Sequence, residues 1–232
     1  MEIKDLNMKS LKLILLSFLL ISSPAFSKIE VQAGQTKLIL PEPVGYTDIS
    51  EMEELWDFAV HSEISKNKML AAFYSNHFLN NYLKNDTVRL SKVLVLEDAS
   101  YKDRILSKEK FSKSSALVKR TLPKELRNEE LMLKEQKRIN EKGISKLLGE
   151  NVSKPIFLEM MEKDFYYIGV TSASNKKIED KLLITLTAQY FILLKGKLLI
   201  IRISYPFENE SDISNLKQLS KRWIDRLINS NS

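Results

Sequence analysis

The 232-residue chain has no cysteine, which removes thiol nucleophiles, thiolate metal sites and a disulfide framework together. Glycine is scarce as well, six residues where an average usage of about 7% gives roughly sixteen. Phosphate-cradling loops are built from glycine, so Rossmann and P-loop nucleotide enzymes start at a disadvantage. Histidine is limited to His61 and His77, which restricts both acid–base chemistry and metal binding. No apolar run reaches the roughly 20 residues that a membrane-spanning helix needs.

What is present is an ordinary globular balance. Lys and Arg number 36 against 30 Asp and Glu, a net charge of +6, and apolar residues make up 44% with ten Phe and eight Tyr. Such a chain is not a disordered tail, and one domain of about 200 residues can bury a sizeable core without metal or disulfide staples.

The N-terminus carries the strongest local signal. Lys9 and Lys12 precede the apolar run 13–21, and Ser22, Ser23, Pro24 and Ala25-Phe26-Ser27 follow. A positive segment, an apolar stretch of about ten residues and small residues one and three places before the cut describe a signal peptide cleaved after Ser27. Glu2 and Asp5 weaken the basic segment, which points to Met8 as the translation start. The expected location is therefore periplasmic or secreted. No cysteine stands near the cut to take a lipid, so a soluble mature chain from Lys28 is expected, with no transmembrane segment.

Along that chain, two strand-like runs at 28–40 flank Ala33-Gly34-Gln35 and suggest a hairpin, which Pro41, Pro43 and Gly45 end. Ser50 and Glu53 have capping-box spacing before a helix with Met52, Leu55, Trp56, Ala59 and Val60 on one face, ending near Ser65. Strands are predicted at 69–74 and 88–96, with a short helix or loop at 76–83. From about 101 a lysine-rich helical pattern begins, in which Ile105, Phe111, Val118 and Leu122 form a loose apolar face. Pro123 opens a further helix to Leu148, where Leu126, Leu133 and Leu147 recur at multiples of seven and Gly143 weakens the interior. That pattern suits an amphipathic surface helix better than a coiled-coil arm. Strands at 165–172, 182–194 and 198–205 follow, the last two joined by Lys195-Gly196-Lys197 as a three-residue loop. Within 182–194, Ile184, Leu186, Ala188 and Tyr190 alternate with Thr185, Thr187 and Gln189, so one face is core and the other partly covered. Ser211 then caps a terminal helix with the stripe Ile213, Leu216, Leu219, Trp223 and Leu227. The fold class is α+β, a mostly antiparallel sheet flanked by helices in a single domain over 28–232, with a charged helical segment at about 101–150.

Candidate chemistry is thin. Asp57 and His61 stand four apart on the first helix and could form a metal half-site or an oriented base, and His77 sits at a strand end. Glu51, Glu53, Glu54 and Asp57 could supply paired carboxylates, but capping and dipole complementarity explain them better. Serines sit in no Gly-x-Ser-x-Gly elbow, and the several Ser-x-x-Lys spacings lack their companion motifs. No metal and no cofactor are expected. Charge is more suggestive: residues 102–120 hold Lys102, Arg104, Lys108, Lys110, Lys113, Lys119 and Arg120 against Asp103 and Glu109, while the rest of the mature chain is neutral. A basic face of this kind could meet an envelope protein or an anionic surface, or simply be a solvated helix face. Nucleic acid is not expected, since export separates the chain from it.

The opening Leu40-Pro41-Glu42-Pro43-Val44-Gly45-Tyr46, the helix after it, the strand at 69–74 and the Trp223 helix ending near Asn229 resemble exported bacterial proteins of PsbP-like type. The resemblance implies an antiparallel sheet sandwiched between helices that binds partners rather than catalysing a reaction, and the charged stretch 101–150 departs from a minimal version of it. The leading expectation is an exported non-catalytic binding or accessory protein of the bacterial cell envelope. Alternatives are a periplasmic hydrolase using His61 or His77 with nearby carboxylates, and a small-molecule carrier with a cavity lined by Tyr166, Tyr167, Tyr190 and Phe191.

Overall fold

A computed structural model describes residues 27–63, 65–82, 90–121, 129–143, 146, 156–163, 167–178 and 181–232. The signal-peptide segment 1–26, the start of the predicted strand at 88–89, the Pro123 helix start and Tyr166 lie outside the described residues. The elements in order are β1 (Lys28–Ala33), β2 (Thr36–Pro41), β3 (Tyr46–Asp48), α1 (Glu53–Ser62), β4 (Lys68–Ser75), α2 (Asn76–Tyr82), β5 (Lys92–Glu97), α3 (Lys108–Thr121), α4 (Glu129–Lys142), β6 (Ile156–Lys163), β7 (Tyr167–Ile178), β8 (Lys181–Leu194), β9 (Lys197–Pro206) and α5 (Ser211–Asn231).

The fold is α+β. Seven strands form one sheet in the order β3-β4-β5-β9-β8-β7-β6, every pairing antiparallel, and β1 and β2 make a separate hairpin. Helices cover both faces of the sheet centre, which is why β5 reads Val93-Leu94-Val95-Leu96 with every residue buried instead of alternating. On one face, Phe73, Val93, Val95, Tyr190, Ile201 and Ile203 pack against Leu216, Trp223, Ile224 and Leu227 of α5 and against Leu38 and Leu40 of β2. On the other, Ala72, Tyr74 and Leu94 meet Leu55 and Ala59 of α1 and Leu79 of α2. Leu193 and Leu198 meet Leu106 and Phe111, which hold α3 to that same face. Fully burying side chains of this size contributes about 1.5–3 kcal/mol each.

The β1–β2 hairpin is fastened to α5 by polar contacts as well. Trp223 Nε1 donates to Pro41 O at 2.6 Å, and the Asn231 amide behaves as a strand neighbour, accepting from Ile39 N at 2.9 Å and donating to Ile39 O at 2.7 Å. The hairpin's far end packs over a buried ion pair of the sheet: Lys197 Nζ lies 3.7 Å from Glu97 Oε1 and donates to Lys102 O, beneath Gly34.

The β8 alternation holds as read from the sequence, with Ile184, Leu186, Ala188 and Tyr190 buried and Thr185, Thr187 and Gln189 half-buried. Several local expectations are corrected. Leu194 pairs with Lys197, so the β8–β9 loop has two residues, Lys195 and Gly196, both with positive φ (45° and 78°) as a type I′ turn requires. Ser50 does not cap α1; its hydroxyl donates to Asp48 Oδ2, a local alternative that competes with capping, and the helix runs only from Glu53 to Ser62. Ser211 is the first residue of α5 and not its cap, because Asn209 Oδ1 accepts from Ser211 N and Asp212 Oδ2 accepts from Glu208 N and Asn209 N. Gly143 does not sit inside a helix: with φ of 74° and its N–H on Ile139 O at 2.8 Å, it ends α4. Among the described residues of α4, Ile139 is buried whereas Leu133 is 66% exposed; Leu126 and Leu147 lie outside the described residues. Strand β6 has no counterpart in the sequence reading.

Candidate functional site

A cleft of about 930 Å³ opens between α5 and the sheet end formed by β3, β4, β5 and β9. Its rim comes from the Pro43-to-Tyr46 turn, closed by Tyr46 N on Pro43 O at 3.1 Å, with Gly45 at φ 80°. A turn with positive φ only at its third residue is of type II and calls for glycine there. It leaves Val44 64% exposed at the mouth. Ser75 and His77 come from the β4–α2 junction, Ser91 from the approach to β5, and Tyr205 and Pro206 from the end of β9.

The opposite wall is a single helix face. Asn215, Gln218, Arg222 and Arg226 of α5 follow one another at steps of three, four and four, so they form a ladder about 16 Å long at 1.5 Å per residue. Leu219 and Trp223 lie beneath it, Trp223 edge-on to Phe73 with ring centroids 6.1 Å apart. Asp225 is also in the lining, so two guanidiniums face one carboxylate.

Two hydroxyl groups of the cleft form a donor relay into the sheet. Ser91 Oγ donates to Ser204 O at 3.1 Å, which leaves Tyr46 OH to donate to Ser91 Oγ at 2.6 Å. Burial pushes the Tyr46 phenol up to about 12, against the Ser91 hydrogen bond that lowers it and with a small upward contribution from Tyr205. The Tyr205 phenol is raised by burial first, then by Asp212 and Glu208, with Asn215 opposing. Burial lowers Arg226, which as a guanidinium stays charged.

The structure separates the residues singled out from the sequence. His77 lines the cleft, exposed, with Nδ1 3.5 Å from Asn81 Nδ2. His61 is on α1, across the sheet from the cleft, and its Nδ1 meets the Asp57 backbone oxygen at 2.7 Å instead of the carboxylate, so the oriented-base pair does not form. Glu51, Glu53, Glu54 and Asp57 are exposed around α1; Glu53 and Glu54 flank an apolar recess of about 270 Å³ between α1 and α2. Among the described residues no group of three or more His, Asp or Glu is placed to hold a metal. Tyr190 and Phe191 point to opposite faces of β8, Tyr190 into the α5 core and Phe191 toward α3, so they cannot line one cavity. Tyr166 and the side chain of Tyr167 lie outside the described residues.

Lys102 and Arg104 are exposed in the loop before α3, and Lys108, Lys110 and Lys113 are exposed on α3 itself. Lys119 and Arg120 belong to the last turns of that helix, their side chains outside the described residues. Helix α3 packs on the face away from the cleft, whereas Lys102 lies by the β1–β2 hairpin. Sequence reading missed the cleft, although the polar ladder at 215, 218, 222 and 226 was visible alongside the apolar stripe of the terminal helix.

No protein-family model matches the chain, and no curated protein matches it. Among solved structures it is similar to the Saccharomyces cerevisiae Ran-binding protein Mog1p, at 10% identity and a TM-score of 0.38 over 89% of this chain and 93% of that one. A likeness at that level carries no argument about what this chain binds. Among the described residues no helix is long and apolar enough to cross a membrane.

Proposed function

We propose that this chain is an exported, non-catalytic binding or accessory protein of the bacterial cell envelope, of PsbP-like type, and that the cleft along α5 receives its partner. The observation that carries the reading is the make-up of the cleft: amides, guanidiniums and the Tyr205 phenol converge on one concave surface above Leu219 and Trp223. Such groups bind and orient; at neutral pH the Tyr205 phenol keeps its proton and can donate a hydrogen bond. Clefts with a few convergent polar groups over an apolar base are the usual form of a binding site. Support for export comes from the Lys9/Lys12, 13–21 and Ala25-Phe26-Ser27 pattern.

Two measurements test it. An alkaline phosphatase reporter joined after residue 40 gains activity only outside the cytoplasm; activity that survives deletion of 8–27 contradicts export. Affinity capture from envelope extract then compares the wild type with a Tyr205→Ala/Gln218→Ala variant. A partner retained by the first and lost from the second supports the cleft, and equal recovery contradicts it.

A second reading is favoured by the exposure of Lys108, Lys110 and Lys113, a surface suited to anionic lipid or an acidic protein. Reversing these lysines to glutamate weakens association and flattens its salt dependence on that reading.

A further inference from the structure

We infer that the cleft takes an extended acidic segment of a partner protein, its carboxylate side chains seated on Arg222 and Arg226. This rests on the reading of the cleft as the partner site and names the chemistry of what enters it. The two arginines stand four residues apart on α5, one helical turn, so both guanidinium forks lie on the same face. Planar forks match carboxylates in two-point contact, which a lysine cannot reproduce.

Polarity along the cleft fixes the direction of the charge. Near Tyr205 the surroundings are negative, since Asp212 and Glu208 both raise its phenol. Toward the C-terminal part of α5, Arg222 and Arg226 outweigh Asp225. A ligand threaded along the helix therefore carries its acidic groups over the arginines and neutral or basic groups over Tyr205.

The ladder argues for a chain and not a small acid. Gln218 offers a donor and an acceptor, the pairing that a peptide backbone needs, and it precedes the arginines along the same face, after Asn215, whose Nδ2 reaches Asp212 Oδ1 at 3.5 Å. At about 3.3 Å per residue, an extended segment of roughly five residues spans the 16 Å from Asn215 to Arg226.

The test uses random heptapeptides displayed on phage, panned on residues 28–232 after depletion on an Arg222→Ala/Arg226→Ala variant, followed by anisotropy titration of synthesised winners. The expected result is several-fold enrichment of Asp and Glu over the starting library, with affinity falling at least tenfold on the double variant. Arg222→Ala alone, at an exposed position, loses part of that affinity with an unchanged melting temperature. Arg222→Lys/Arg226→Lys restores less than half of the lost binding free energy. Winners without acidic residues, or winners bound equally by the variant, overturn the inference. So does displacement by free glutamate at equal concentration, which assigns the site to a small carboxylate. Peptides lost instead on reversal of Lys108, Lys110 and Lys113 assign acidic recognition to α3. If envelope capture still depends on Tyr205 and Gln218 while acidic peptides fail, the partner site stands and only its chemistry falls.

Discussion

The buried pair Glu97–Lys197 is the most demanding electrostatic feature of the fold. Both side chains are almost wholly buried, at 3% and 4% exposure, with Lys197 Nζ 3.7 Å from Glu97 Oε1. At an effective dielectric of about 20 that separation gives an attraction of about 4–5 kcal/mol. Desolvating each ion costs several kcal/mol, so the intact pair contributes little net stability. Removing one partner is different, because the other charge remains buried. Lys197→Met and Glu97→Met are each expected to destabilise by about 3–5 kcal/mol. For a chain of this size, at about 2–4 °C per kcal/mol, that lowers the melting temperature by roughly 6–20 °C. The Glu97→Met/Lys197→Met double variant recovers most of the loss, since no uncompensated charge is left and the Lys102 carbonyl it frees belongs to an exposed residue. Urea denaturation of the four proteins closes the cycle. Single variants costing under about 1 kcal/mol, as exposed pairs do, or a double variant equal to the sum of the singles, refute the reasoning.

Three further outcomes follow from particular contacts. Gly196→Ala places a Cβ 2.5 Å from Ile105 Cγ2 at φ 78°, whereas Gly45→Ala at φ 80° meets nothing within 4 Å; thermal melts should show Gly45→Ala costing about 1 kcal/mol and Gly196→Ala clearly more. Asn231→Ala strips Ile39 N–H and C=O of their side-chain partner and is expected to cost about 1–3 kcal/mol in urea unfolding, with amide exchange faster across β2. Tyr46 binds its proton more tightly folded, at about 12, than unfolded, at 10.0. Its contribution is therefore fully present below pH 10 and is lost as pH rises toward 12, and Tyr46→Phe flattens that part of the stability–pH curve.

Much of the fold was legible because its signals are local. The strict alternation from Ile184 to Tyr190 gave both the strand and its core face, and the stripe Leu216, Trp223, Leu227 gave the helix that covers it. Strand β6 escaped because Glu159, Met160, Met161, Glu162 and Lys163 show no period of two. The caps were misplaced where Asp48 and Asn209 competed for the same serines. The cleft was illegible for a different reason: its walls come from residues 44–46, 75–77, 91 and 205–226, brought together only by antiparallel pairing of β3, β4, β5 and β9. No periodicity along the chain encodes that meeting, and of His61 and His77, the residues most conspicuous in the sequence, only His77 reaches the cleft, although α1 and α2 pack on the same face of the sheet.

Site-specific photocrosslinking in living cells reaches the central claim most directly. A benzophenone amino acid at Gln218, on the ladder of α5, should yield a discrete envelope adduct that disappears with Arg222→Ala/Arg226→Ala, while the same group at the exposed Glu141 of α4 yields none. Adducts equal at the two positions, or an adduct at Gln218 that is indifferent to the arginines, contradict the account.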